Sequence, residues 1–311
     1  MKIRIVKNRS DIGAGTRGAD MGVDAMEIAA INAGNDFFNR IPFVDIDTHN
    51  ETIYNMVKNS FAKRIGFVEE QCNRVSDTIH RTLLDNEFPL VLSGDHSSAL
   101  GTISGIKAFD PGSRLGIVWI DAHADLHSPY TSPSGNVHGM PLAAALHEDN
   151  LGMKTNEPDS ETLEHWERLK SIGTDDPKFL AEDLIFFGVR DTEEPENAVM
   201  AARNIKNYTV AELRYRGFQH CIGEAIEKLR HCDVLYLTFD VDSMDCDHVS
   251  HGTGTPVPFG LSPSEAKRII TGFLETGKVV CAEFTEVNPL LDTKGNKMAE
   301  TAFDVLNHCF G

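Results

Sequence analysis

The chain has 311 residues, of which 41% are hydrophobic and 24% are charged. This composition is that of an ordinary globular protein and excludes the fibrous and disordered classes. Lys and Arg total 29 against 47 for Asp and Glu, which gives a formal net charge of −18. A surface this acidic repels phosphate groups, so we expect neither nucleic acid nor an anionic membrane as a partner.

The first residues and the cysteines indicate a cellular compartment. Residues 1–7 alternate charged and apolar side chains, whereas a signal peptide needs an unbroken apolar stretch. No apolar run approaches the roughly 18 residues of a membrane span. The six cysteines contain no C-x-x-C pair, which argues against a disulfide framework and a zinc knuckle. The sequence therefore predicts a cytoplasmic protein with reduced thiols.

Five continuous apolar runs have the composition of strands that are buried on both faces. These predicted strands are residues 88–93, 114–120, 184–189, 234–239 and 278–284. Segments with helical spacing lie between or beside them, at 68–84, 221–229 and 262–276, and the last begins with a capping signal at Ser262-Pro263-Ser264-Glu265. The alternation predicts one α/β domain over residues 1–311, with a mostly parallel central sheet covered by helices on both faces. A polar surface excursion is expected at 147–183, with a helix near 161–171.

Acidic and imidazole side chains follow the predicted strands, where a parallel sheet places its ligand site. Asp121, His123 and Asp125 follow one strand at spacings of two, and an extended segment would point them to one face. The same spacing relates two further acids, and a histidine follows a third strand. The candidate ligand set is therefore His96, Asp121, His123, Asp125, Asp240 and Asp242.

Four neighbouring carboxylates raise one another's pKa unless positive charge compensates them. Two divalent cations would supply that charge. An oxygen-rich set with two imidazoles suits octahedral manganese, with iron, cobalt or nickel as alternatives and structural zinc disfavoured. Each piece alone also fits a plainer interpretation, namely capping acids and a structural histidine. Paired metals commonly generate a bridging hydroxide that attacks an electrophilic carbon or phosphorus.

Two further features indicate the substrate. Residues 127–141 are rich in hydroxyl, amide and imidazole groups and in turn formers, a composition typical of a recognition loop. Glu286 follows the last predicted strand and is a candidate partner for a cationic group beside the metals.

From about residue 88 to 291 the chain resembles the arginase (ureohydrolase) family. The matching blocks include Ser93 to Ser97, Asp121 to Leu126, Ser134 to Gly139, Gly188 to Asp191, Phe239 to Asp242, Gly252 to Pro256 and Glu286 to Pro289. The resemblance implies a parallel-sheet α/β fold, two Mn²⁺ per chain, hydrolysis of guanidino groups and a homo-oligomer. The S-G-N-x-H-G block is similar to that of arginases proper rather than agmatinases.

The resemblance also implies roles for individual residues. Ser134 and Asn136 would hold the α-carboxylate of an amino acid, His138 would shuttle protons and Glu286 would receive the guanidinium. Glu193 and Glu196 match the acids that contact the α-amino group, and they would lie one helical turn apart if a helix began at Thr192. The chain departs from the family pattern at three positions: His127 replaces the usual Asn, Ser132 the usual Thr and Glu193 the usual Asp.

The expected activity is therefore hydrolysis of L-arginine to L-ornithine and urea by a hydroxide that bridges the two metals and is hydrogen-bonded by Asp125. Agmatinase, guanidinobutyrase and formimidoylglutamase activities are the alternatives within the same class. A metal-dependent amide deacetylase and a non-catalytic metal-binding protein are alternatives from other classes.

Overall fold

The central sheet has eight strands, all parallel, in the computed structural model, which describes residues 2–311. The strands are β1 (Ile3–Asn8), β2 (Phe43–Asp45), β3 (Phe88–Ser93), β4 (Leu115–Ile120), β5 (Leu184–Phe187), β6 (Lys206–Tyr208), β7 (Val234–Asp240) and β8 (Val279–Thr285). Their spatial order is β2-β1-β3-β8-β7-β4-β5-β6.

The helices cover both faces of this sheet. They are α1 (Gly22–Asn32), α2 (Phe37–Arg40), α3 (Ile65–Leu84), α4 (Ala99–Phe109), α5 (Pro141–Leu146), α6 (Ser160–Ser171), α7 (Glu194–Ala202), α8 (Val210–Arg216), α9 (Phe218–Lys228), α10 (Pro263–Leu274) and α11 (Lys297–Phe310). Among residues 2–311, none of the helices combines the length and the apolar character that crossing a membrane requires.

Two hydrophobic cores lie on opposite sides of the sheet. Val118 and Ile120 of β4 pack into the core that contains α1, α9, α10 and α11. Ile117 and Trp119, which alternate with them, pack into the core that contains α3, α4, α5 and α6. Successive side chains of a strand point to opposite faces, so burial on both sides explains why the central strands are continuous apolar runs.

The predicted fold class is confirmed, with small shifts at the ends of elements. β3 has the predicted bounds, and β4, β5, β7 and β8 differ from the prediction by one or two residues at their ends. The predicted helices correspond to α3, α6, α9 and α10. In α10 the expected cap is present, because Glu265 Oε2 accepts from the Ser262 backbone N–H at 2.8 Å.

Three strands were not predicted from the sequence. β1 lies inside the sheet between β2 and β3, but charged Arg4 and Lys7 alternate with its apolar residues. Both charges are neutralised: Arg4 pairs with Glu87 at 2.6 Å and Lys7 with Glu27 at 2.5 Å. β2 and β6 each have only three residues, too short for a periodic pattern.

The strand order places the candidate site. The five predicted strands are the five neighbours β3-β8-β7-β4-β5 in the middle of the sheet. Because every pair is parallel, their carboxyl ends lie on one edge. The loops that follow them therefore meet.

Candidate metal centre and substrate pocket

His96 is surrounded by carboxylates from two neighbouring strand ends. Its Nδ1 lies 3.0 Å from Asp121 Oδ2, 3.2 Å from Asp125 Oδ2 and 3.3 Å from Asp240 Oδ2. All four side chains are buried. In an octahedral site with bonds of about 2.1 Å, adjacent ligand atoms lie about 3 Å apart. The four atoms therefore have the spacing of a shared metal shell.

A second group of ligands adjoins the first. His123 Nδ1 lies 3.0 Å from Asp242 Oδ2 and 3.5 Å from Asp121 Oδ1. Asp121 thus presents one carboxylate oxygen to His96 and the other to His123. The Asp121 carboxylate therefore belongs to both groups of possible metal ligands. All six predicted ligands lie in these two groups.

Burial and mutual repulsion disfavour the ionised form of the ligand carboxylates, and the neighbouring protein groups do not fully offset this effect. Burial and the neighbouring Asp121 raise the pKa of Asp125 to about 7. Burial, Asp242 and Asp121 also raise the pKa of Asp240 above its usual range. Bound cations remove such penalties because they stabilise the ionised carboxylates.

His96 Nδ1 provides the most direct test of whether the site fits a metal. It is buried and has no hydrogen-bond partner. Nε2 of the same ring lies 2.9 Å from Thr238 Oγ1, which assigns the ring proton to Nε2 when the hydroxyl accepts it. The Nδ1 lone pair then faces three carboxylate oxygens. Acceptors facing acceptors repel unless a cation lies between them, so these residues fit a metal ion.

Other side chains hold the ligands in place. Trp119 Nε1 donates to Asp121 Oδ2 at 2.9 Å, and its ring stacks on His96 with centroids 4.1 Å apart. Thr255 Oγ1 donates to Asp242 Oδ2 at 2.9 Å. Such contacts fix the orientation of metal ligands. Neither Trp119 nor Thr238 was predicted from the sequence. Thr238 precedes Asp240 by two residues, so the two-residue period of the strand is the signal that could have placed it beside the site.

Arg190 holds the loop that follows β7. Its guanidinium donates to the carbonyl oxygens of Asp242, Ser243 and Met244 at 2.9, 3.2 and 3.3 Å. Gly188 to Asp191 is recognisable as a motif in the sequence, but the function of Arg190 was not predicted from it. Its contacts show that it positions the backbone of the Asp242 loop.

The geometric premise behind part of the ligand prediction was wrong. β4 ends at Ile120, so Asp121, His123 and Asp125 do not lie on an extended segment. Asp125 has φ of +49°, in the left-handed region that is unusual for a residue other than glycine. The three side chains converge because the loop turns there, not because of strand periodicity.

Glu286 and His138 face each other beside the ligands. Glu286 Oε1 accepts from the His96 backbone N–H at 3.0 Å and lies 3.1 Å from His138 Nδ1. Burial acts to lower the pKa of His138, but the hydrogen bond and the charge of Glu286 outweigh it and raise the pKa to about 9. Glu286 has φ of +65°, a second unusual backbone conformation at this edge.

The loop at 134–139 forms the outer wall. Gly135 has φ of +70°, and a Cβ there would lie 2.0 Å from Ser60 O, so the block requires glycine. Ser134 Oγ accepts from the Asn136 backbone N–H at 3.1 Å. Asn136 Oδ1 accepts from Lys63 Nζ at 3.1 Å. Lys63 was not predicted from the sequence, because it lies 73 residues away from Asn136 in the chain.

The two acids proposed to contact an α-amino group differ in their surroundings. α7 begins at Glu194, not at Thr192, and Glu193 is its N-cap residue. Glu196 is buried and accepts from the backbone N–H groups of Leu126 at 3.2 Å and Glu193 at 3.1 Å. Glu193 keeps an exposed carboxylate, which lies 2.9 Å from His127 Nε2.

These groups line one pocket of about 250 Å³. Its walls include five of the six predicted metal ligands and the two predicted substrate residues of the 134–139 loop. Glu193, Glu196, His138 and Glu286 also line it. Asp121 does not line the pocket, although its carboxylate oxygens lie 3.0 Å from His96 Nδ1 and 3.5 Å from His123 Nδ1. The structure therefore brings the predicted site residues together at one opening.

Comparison with known proteins identifies the family to which this chain belongs. The Arginase family model matches residues 1–311. The arginase of Bacillus subtilis (strain 168) is 33% identical over 99% of this chain and 97% of its own length. The arginase structure from Bacillus caldovelox superposes with a TM-score of 0.84 at 34% identity, covering 100% of this chain and 99% of the other. The fold and site are those of a metal-dependent amidinohydrolase, and the chain belongs to the arginase family.

The fold extends to relatives with other names. The formimidoylglutamase structure from Bacillus subtilis superposes with a TM-score of 0.75 at 20% identity, covering 99% of this chain and 86% of the other. That likeness shows the shared fold only.

Proposed function

We propose that the protein hydrolyses the guanidino group of L-arginine, giving L-ornithine and urea. The observation that carries the proposal is the unpartnered His96 Nδ1 among three carboxylates, in the same pocket as Glu286 and the 134–139 loop. Family membership over the whole chain supports the same reaction. The net charge of −18 also favours a small cationic substrate.

The proposed cofactor is a pair of Mn²⁺ ions. His96, Asp121, Asp125 and Asp240 would hold one, and His123, Asp242 and the second oxygen of Asp121 would hold the other. When bound, the two ions would lower the pKa of a water molecule and so supply the nucleophile at neutral pH. Oxygen and imidazole ligands suit manganese, and iron, cobalt and nickel remain candidates.

The pocket residues would then orient the substrate. Glu286 would pair with the guanidinium, since its carboxylate is buried next to the ligands. Its hydrogen-bond partners are the His96 backbone N–H and His138, and neither is an arginine or lysine side chain. Ser134 and Asn136 would receive the α-carboxylate, with Lys63 adding a positive charge nearby. Glu193 and Glu196 would provide negative charge for the α-ammonium. Because Glu196 already accepts two backbone N–H groups, Glu193 is the more available carboxylate.

Two residues are positioned for proton transfer. Asp125 lies in the ligand cluster at the pocket wall, where it can accept a hydrogen bond from the attacking water. His138 lies at the opening, 3.1 Å from Glu286. It can deliver a proton to the leaving amine and recover one from solvent.

A cytoplasmic location and a homo-oligomeric state are also proposed. All six cysteines are free, and five of them are buried, as is usual in a reducing compartment. The oligomer rests on the family alone.

Urea release tests the proposal. Purified protein stripped with a chelator should release little urea from L-arginine, and Mn²⁺ should restore the rate. Full activity with fewer than two metal equivalents per chain would refute the paired site. A panel of L-arginine, agmatine, 4-guanidinobutyrate and formiminoglutamate separates the alternatives in the family, and one bound zinc with activity on acetylated amines would indicate a deacetylase instead.

A further inference from the structure

His127 is buried in the pocket wall, with both ring nitrogens in contact with polar groups. Nδ1 lies 3.1 Å from Thr131 Oγ1. Nε2 lies 2.9 Å from Glu193 Oε2 and 3.6 Å from Glu196 Oε2. The ring thus joins the loop after β4 to the first turn of α7.

The contacts of the Thr131 hydroxyl indicate which ring nitrogen of His127 carries the proton. The Thr131 hydroxyl oxygen accepts from the Ser128 backbone N–H at 3.1 Å. Of the two acceptors near the Thr131 hydroxyl, His127 Nδ1 at 3.1 Å is closer than the Ser128 carbonyl oxygen at 3.5 Å. With Nδ1 as the acceptor, the ring proton lies on Nε2, which faces the Glu193 carboxylate at 2.9 Å and leaves no donor for a substrate carboxylate.

The Glu193 carboxylate depends on a positioning contact more than the Glu196 carboxylate does. The Glu196 side chain is 6% exposed, whereas the Glu193 side chain is 52% exposed and has three rotatable bonds. A free glutamate of this kind loses considerable rotamer entropy when a ligand orders it. Close contact with a buried ring that is held in place removes part of that loss before the substrate arrives.

We propose that His127 is a specificity-determining residue of this pocket. It holds the Glu193 carboxylate at the opening, so that the pocket favours guanidino compounds that carry an ammonium group at the end remote from the guanidinium. The proposal rests on the proposed function. Recognition of the substrate carboxylate then falls to the side of the pocket that contains Ser134 and Asn136.

The decisive comparison uses two substrates that differ only in the α-amino group, L-arginine and 5-guanidinopentanoate. His127→Phe retains a buried ring but removes the donor. We expect KM for L-arginine to rise about fivefold or more, as for loss of a hydrogen bond to a charged group. KM for 5-guanidinopentanoate should change less than twofold, and kcat at saturation and metal content should be retained.

Matched variants separate selectivity from packing. Glu193→Gln removes the negative charge itself, so it should raise KM for L-arginine at least as much as His127→Phe does. The double variant should be no worse than Glu193→Gln alone, because His127 acts through Glu193. Thr131→Ser keeps the hydroxyl and should preserve the preference, whereas Thr131→Val should weaken it. Equal KM increases for both substrates, or additive effects in the double variant, would overturn the proposal.

A binding measurement distinguishes this proposal from the proposed function. Calorimetric titration of the metal-loaded protein with L-ornithine and with 5-aminopentanoate needs no turnover. The wild type should prefer L-ornithine, and His127→Phe should lose most of that preference. A preference that His127→Phe leaves intact would refute the role of His127 even if urea release is confirmed. Absence of urea release would refute the function without altering this result.

Discussion

Thr238 is one of the sheet residues that support the candidate metal centre. Its hydroxyl is the partner of His96 Nε2 at 2.9 Å, and both residues are buried. Thr238→Val nearly preserves the side-chain volume but leaves the imidazole N–H without an acceptor. An unpaired buried donor costs about 1–3 kcal/mol, and loss of an outer partner of a metal ligand typically weakens metal affinity about 10–100-fold. We expect a loss of Mn²⁺ affinity within that range.

The assay is a titration of metal-stripped protein with Mn²⁺, read as urea release and independently as bound metal. Thr238→Val should shift the titration to higher Mn²⁺ concentration and recover most of the turnover rate at saturation. Thr238→Ser keeps the hydroxyl and is the matched control, so its titration should resemble that of the wild type. Identical titrations for Thr238→Val and Thr238→Ser would refute the argument that His96 Nε2 depends on this hydroxyl.

Three further outcomes are expected. His138→Asn should lower kcat about tenfold or more with unchanged metal content, as for loss of acid–base help, and added imidazole should restore part of the rate; unchanged kinetics would assign His138 to structure. Glu286→Gln should reduce kcat/KM for L-arginine because it removes the negative partner of the guanidinium, and equal values for the two proteins would exclude that role. Burial lowers the pKa of Lys178 from 10.5 to about 8, so the unfolded chain binds more protons between these values and this group's contribution to stability improves as pH rises. Urea unfolding should therefore show wild type gaining about 2 kcal/mol on Lys178→Met between about pH 7 and pH 9.5, and a constant difference would contradict this.

The central strands could be predicted because a strand that is buried on both faces appears in the sequence as a continuous apolar run. β3, β4, β5, β7 and β8 are apolar throughout, and each is followed by polar residues of the site. β1 could not be predicted in this way, although it lies inside the sheet. Its charged side chains are neutralised by Glu87 and Glu27 from elsewhere in the chain, and such pairings have no local signal.

The site was predictable in its residue types and less so in its geometry. The excess of carboxylates required cations on charge alone, whatever the local conformation. The conformation itself was not readable from spacing, because Asp125 and Glu286 adopt positive φ. Backbone hydrogen bonds fix both: the Leu142 N–H donates to Asp125 O at 3.2 Å, and the Glu286 N–H donates to Gly94 O at 2.9 Å. Residues at such angles cost about 1–3 kcal/mol and persist where their surroundings hold them, commonly at functional sites.

Two of the departures from the family pattern, His127 and Glu193, are in contact in the structure. In the sequence, His127 and Glu193 are separate substitutions, and each alone casts doubt on the substrate. In the structure they touch, with His127 Nε2 2.9 Å from Glu193 Oε2. A glutamate reaches one methylene further than an aspartate and needs a fixed donor to hold it, and a histidine at position 127 is such a donor. Under the role proposed for His127 the two changes compensate each other, and their effect on substrate choice has to be measured as that of one pair.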